Sequence, residues 1–144
     1  TLFRSERSQG LAMNAQPDVA DLMALPFARG GRGGDGIDCL GLTLAVLERV
    51  GIPAPDPWAH VHDAWRKGEL DAATGFGAGW RRIDIAEIGL DGDVLLFDSG
   101  GCRAAHVAVL FRGHVLHAAP EVGVYSRPWT VGHDVPSQAW RYQP

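Results

Sequence analysis

The sequence predicts an α+β domain in which N-terminal helices pack on a C-terminal antiparallel β-sheet. Three observations carry that prediction. The strongest helical pattern lies between Asp38 and Gly51, the short apolar runs typical of strands begin only after Asp91, and turn residues rather than helical segments separate those runs. Alternating βαβ units would have placed helices between the later strands.

Residues 1–17 are polar, with Arg4, Glu6 and Arg7 and no apolar period, so a flexible arm is expected there and a single domain over 18–144. Val19 to Leu25 fits a short helix that stops before Pro26, and the crowding of Gly30, Gly31, Gly33, Gly34 and Gly36 then predicts a loop. The best helix follows, with Asp38 as N-cap, apolar residues at Leu40, Leu42, Leu44, Val46, Leu47 and Val50, and Gly51 and Pro53 as stop signals. Its apolar face is wide, which predicts deep packing. After the stiff Pro53, Pro55 and Pro57, a second amphipathic helix is expected over Trp58 to Leu70.

Strands are expected at Val94 to Phe97, His106 to Phe111, Val115 to Ala118, Val122 to Tyr125 and Gln138 to Tyr142, arranged as a meander. Arg112-Gly113 has the length of a two-residue hairpin turn.

Composition narrows the function. The chain has 144 residues, 46% hydrophobic and 21% charged, which suits one ordinary core. A formal charge of −4 and no clustered Lys/Arg stripe argue against a nucleic-acid partner. No apolar run approaches the roughly 18 to 20 residues that cross a bilayer, and Thr1 to Asn14 lack the apolar middle of a secretory signal. Two cysteines, Cys39 and Cys102, do not make a disulfide framework.

Cys39 stands at the predicted start of the main helix, where the positive end of the helix dipole favours a thiolate. The preceding glycines leave room for a substrate. An inert core cysteine is the competing reading, and a partner base decides between them. Of His60, His62, His106, His114, His117 and His133, the hairpin selects two. With Arg112-Gly113 as its loop, Phe111 faces His114, Ala108 faces His117, and His106 lies diagonally from His117 on the same face, about 7 to 8 Å away at the backbone. One histidine would take the thiol proton and the other would hold its ring in the productive tautomer. We assign His106 as base and His117 as orienter.

Gly-Ile-Asp-Cys-Leu-Gly-Leu at 36–42, Asp-Gly-Asp-Val-Leu-Leu-Phe at 91–97, His-Val-Ala-Val-Leu at 106–110 and Val-Leu-His-Ala at 115–118 together resemble the NlpC-type cell-wall cysteine peptidases. The resemblance covers roughly residues 24 to 142. It implies a papain-like fold and cleavage of amide bonds in peptidoglycan stem peptides, of the γ-D-glutamyl-diamino acid type. The catalytic residues it implies are Cys39, His106 and His117; Asp38, Phe27 and Leu40 fall at substrate-binding positions. It implies no metal and no organic cofactor. Two residues depart from the pattern of many members: Leu40 stands for a Ser and Phe27 for a Tyr, each with loss of a hydroxyl.

The Asp-Cys-Leu-Gly-Leu form, with Pro128-Trp129 and Trp140-Arg141-Tyr142, is similar to members encoded with phage tails and gene-transfer particles. That similarity implies phage tail proteins as partners and action at the virion tail or the bacterial wall. Three other readings stand beside this one. The first is a non-catalytic tail or wall-binding module on the same fold. The second is a zinc site from Cys39, Cys102, His106 and His114 or His117, which lacks the usual close Cys pair. The third is a phosphate loop at residues 30–36, which lacks Gly-Lys-Ser/Thr.

Overall fold

A computed structural model describes residues 18–55, 76–99, 102–132 and 135–144, with backbone alone at 99 and 102–105. The expected arm at 1–17 and the expected second helix at Trp58 to Leu70 lie outside the described residues, as do His60, His62 and His133. The described elements are α1 (Ala20–Met23), β1 (Arg32–Gly33), β2 (Gly36–Ile37), α2 (Cys39–Arg49), β3 (Trp80–Ile83), a 3-10 turn (Ile85–Glu87), β4 (Val94–Ser99), β5 (Cys102–Phe111), β6 (His114–Ala119), β7 (Gly123–Pro128) and β8 (Gln138–Tyr142). Helices come first and the large antiparallel sheet follows, as the sequence predicts.

The six strands lie in the order β3-β8-β4-β5-β6-β7. Strands β4 to β7 form the expected meander, but β8 does not extend it. It returns to pair with β4, Val94 opposite Trp140, and carries β3 on its other edge, Trp80 opposite Tyr142. The glycine-rich segment also contains more than a loop, because β1 and β2 form a small ribbon, with Gly33 at the end of β1 and Gly34 in the turn both at positive φ.

Helix α2 packs on β5 and β6. Leu40, Leu42, Val46 and Leu47 from the helix bury against Val94, Leu96, Val107, Val109, Leu116 and Ala118. Each of these four helical residues is at most 1% exposed, so burial supplies about 1.5 to 3 kcal/mol per side chain and fixes the helix on the sheet. The opposite sheet face carries Leu95, Ala108, Leu110 and Val115 under Ile83, Ile88 and Ala139. A buried ion pair ties the sheet to its flanking loop: Arg141 Nε and Nη2 donate to the two Asp93 oxygens at 2.8 Å each. The Gly89 and Leu90 amides donate to the same carboxylate.

Among the described residues, no helix is long and apolar enough to cross a membrane.

Candidate active site

The start of α2 is held by Asp38. Its backbone is extended, its Oδ1 accepts from the Gly41 amide at 2.8 Å, and its Oδ2 accepts from the Gly30 amide at 2.9 Å. Arg32 Nη1 donates to Oδ1 at 2.9 Å. The carboxylate is thus a cap, a fastener for the glycine loop and half of an ion pair. A Cβ at Gly41 would collide with the Gly31 carbonyl oxygen, so the close approach of loop to helix requires glycine there. Cys39 is the first residue of the helix, partly exposed.

Around the sulfur, two influences oppose the dipole argument. Burial pushes the Cys39 thiol up from its ordinary value, and the neighbouring Asp38 carboxylate adds to that push. The Val107 backbone amide on β5, with the Leu40 and Cys39 amides, pulls the other way and loses. Burial and the Asp38 charge thus set the thiol above its ordinary value, against the expectation of a helix start that favours the thiolate. The involvement of the Val107 amide places the sulfur beside β5, next in sequence to His106.

Strand β5 turns into β6 through Arg112 (φ 50) and Gly113 (φ 77), the positive angles of a type I′ hairpin. The ladder runs from Phe111 opposite His114 to Val109 opposite Leu116. Beyond it the strands are bridged by side chains, with His106 Nε2 3.0 Å from His117 Nδ1. The rings lie within 4° of parallel with centroids 5.2 Å apart. That separation is two ring radii plus the bond, so the rings meet edge to edge in one plane and are not stacked face to face. In the tautomer that donates from His106 Nε2, the ring's lone pair lies on Nδ1. Burial pushes His106 below the ordinary 6.5, which keeps that ring neutral near pH 7.

The sheet also brings in residues that the sequence reading did not single out. Tyr125 on β7 sits opposite His117, near-parallel to it at 5.1 Å between centroids. Phe97 on β4 sits opposite His106 and packs tilted against both imidazoles. Together with Asp98, Arg127 and Val135, these side chains line a cleft of about 400 Å³ that opens at the histidine pair. The parity argument that selected His106 and His117 extends to Tyr125 and Arg127, had the register of the β6–β7 turn been known.

Of the residues expected at the substrate, Leu40 turns into the core at 1% exposure and Asp38 is 5% exposed with both oxygens engaged. Leu40 points to the same core as Leu47, and the Asp38 carboxylate caps the helix and fastens the glycine loop. Phe27 is half-buried in a bridge to Ile37, just before Cys39. His114 lies at the far end of the hairpin, exposed, with Nδ1 3.2 Å from the Arg112 carbonyl. The zinc reading needed Cys102, whose side chain is outside the described set, and among the described residues no group of three or more His, Cys, Asp and Glu could hold a metal ion.

No family model and no curated protein matches this sequence. Solved structures do. An NlpC/P60 family protein from Bacillus cereus is 24% identical with a TM-score of 0.53, over 90% of this chain and 42% of that one. A hypothetical invasion protein of Mycobacterium tuberculosis is 21% identical with a TM-score of 0.51, over 85% of this chain and 57% of that one. A mutated resuscitation promoting factor interacting protein, RipA, is 23% identical with a TM-score of 0.51, again over 85% and 57%. The chain thus spans about half the length of the proteins it matches. At these identities the likeness is one of architecture, and what it establishes is that this chain has the α+β fold of NlpC/P60 proteins.

Proposed function

We propose that the chain is a cysteine peptidase or amidase that hydrolyses amide bonds in peptidoglycan stem peptides, with Cys39 as nucleophile, His106 as base and His117 as the group that orients it. The observation that carries this reading is the in-plane His106–His117 bond at 3.0 Å, on the strand whose backbone meets the Cys39 sulfur. A base held by a second ring through Nε2 offers Nδ1 to the thiol, which is the triad logic in a Cys-His-His form.

The chemistry follows from the two protonation states. His106 Nδ1 takes the thiol proton as sulfur attacks the amide carbonyl, so the thiolate forms only as it is used. The imidazolium is stabilised by its bond to His117 and gives the proton to the leaving amine as the C–N bond breaks. Water, deprotonated by His106, then attacks the thioester carbonyl, and the proton returns to the departing sulfur. The Cys39 amide, at the first turn of α2, is the proposed donor to the oxyanion, a contribution of about 2.7 to 4 kcal/mol for a preorganised donor.

The proposed setting is local opening of the cell wall during delivery by a phage tail or gene-transfer particle, supported by the Asp38 to Leu42 motif. The second reading, a non-catalytic tail or wall-binding module, is favoured by one observation, the upward push on the Cys39 thiol. Mass analysis of purified peptidoglycan after incubation with the protein separates the two. Fragments cut beside the γ-glutamyl linkage are expected from the peptidase, and an unchanged fragment pattern in a pull-down that retains the protein on the wall would favour the binding module.

A further inference from the structure

Four rings cross one face of the sheet in a row, one from each of four adjacent strands: Phe97 on β4, His106 on β5, His117 on β6 and Tyr125 on β7. Phe97 is opposite His106 and His117 is opposite Tyr125, so each pair shares a face, and the 3.0 Å bond between the imidazoles joins the two pairs. That bond does not by itself keep the imidazoles coplanar. A single hydrogen bond sets the distance between two rings but resists rotation about its own axis only weakly, and histidine χ2 is soft. The backbone gives little help, because the ladder between β5 and β6 runs only from Phe111 to Val109 on β5, short of His106.

The outer rings of the row supply what is missing. Tyr125 lies within 13° of parallel to His117 with centroids 5.1 Å apart, the geometry of an offset stack. Phe97 packs tilted against both imidazoles, 5.8 Å from His106 and 5.6 Å from His117 between centroids. His117 is 7% exposed, so little water competes with these contacts. We propose that Tyr125 is a positioning residue: its ring face sets the plane of His117, and His117 in turn sets the plane of His106, so that Nδ1 of the base stays aimed at the thiol. This inference rests on the Cys-His-His reading and deepens it by a fourth member that acts through His117. The stack has an electrical consequence as well. When His106 becomes an imidazolium, its Nε2–H polarises His117, and the negative face of the Tyr125 ring lies against the positive charge. The ring carries both effects and the phenol hydroxyl neither.

Tyr125 also lines the cleft, so a double-mutant cycle on the full chain is needed to separate action through His117 from contact with a substrate. With a γ-D-glutamyl-diamino acid peptide, Tyr125→Leu should lower kcat by about 3- to 10-fold at unchanged KM, the size of one aromatic pair. Tyr125→Phe keeps the ring and should keep kcat within about 2-fold. In a His117→Ala background, Tyr125→Leu should change nothing further. A raised KM with kcat kept would make Tyr125 a substrate contact, and the same loss in both backgrounds would make its effect independent of His117; either overturns the proposal. Heteronuclear NMR of the histidine rings reads the same coupling without turnover. The unaltered chain and Tyr125→Phe should hold His106 in the single tautomer with its proton on Nε2, and Tyr125→Leu should mix the two tautomers. If no peptide is cut but Tyr125→Leu still mixes the tautomers, the positioning role stands and the peptidase reading fails. An unmixed tautomer in Tyr125→Leu removes the positioning role. Tyr125 is half-buried and belongs to neither core cluster, so its replacement leaves the core intact.

Discussion

Replacing Asp38 by asparagine should make the protein less stable and its thiol more acidic at once. Asparagine keeps an oxygen for the Gly41 amide, so the helix cap survives. The other oxygen becomes an amide nitrogen, a donor facing the Gly30 N–H, and that partly buried donor loses its acceptor at a cost of about 1 to 2 kcal/mol. The pair with Arg32 loses its charge; because the Arg32 side chain is 42% exposed, solvent screening limits that loss to about 1 kcal/mol. The sum is about 2 to 3 kcal/mol, a large part of the stability of an ordinary domain. In the other direction, removal of the carboxylate takes away a charge that pushes Cys39 up. Urea unfolding reads the first effect as a lower midpoint at unchanged slope. Iodoacetamide labelling as a function of pH, in a Cys102→Ser background so that one thiol is followed, reads the second as a midpoint shifted to lower pH. Stability unchanged within about 0.5 kcal/mol would refute the account of Asp38 as fastener of the glycine loop. A labelling midpoint that stays in place would refute the electrostatic part.

Other outcomes follow from the same geometry. Leu40→Ser should cost at least about 2 to 5 kcal/mol, the range for truncating a buried leucine, because the side chain is 1% exposed; a thermal melt checks this, and an unmoved Tm with altered turnover would return Leu40 to the substrate site. Arg141→Ala should cost about 3 to 5 kcal/mol by leaving the fully buried Asp93 carboxylate without its guanidinium, read by urea unfolding. For His106, the folded value lies below the unfolded 6.5, so its contribution to stability is complete above pH 6.5 and is lost as pH falls through the folded value. The drop in stability below pH 6.5 should therefore be smaller in His106→Phe. The acid limb of kcat/KM should likewise fall below pH 6.5.

Much of this arrangement was legible because it is local. Asp38, the run of apolar residues to Val50 and the Gly51 stop define α2, and that helix spans Cys39–Arg49. A two-residue loop fixes hairpin register, so Arg112-Gly113 was enough to place His106 and His117 on one face. What escaped the sequence depends on distant chain segments. The return of β8 to β4 and the strand β3 are long-range pairings with no local signal. The upward push on the Cys39 thiol comes first from its burial and then from the Asp38 charge, which a helix-start argument does not contain. Tyr125 and Arg127 join the site through the β6–β7 register, whose turn at Pro120 to Val122 has no two-residue signature.

The central claim is that Cys39, His106 and His117 act as one unit in acyl transfer. Release of free amine from purified peptidoglycan by Cys39→Ala, His106→Ala and His117→Ala, measured beside the unaltered chain, tests it most directly. The account predicts release at background for Cys39→Ala and His106→Ala, and a smaller loss for His117→Ala, since water can partly replace an orienting group. Undiminished release by Cys39→Ala would contradict it.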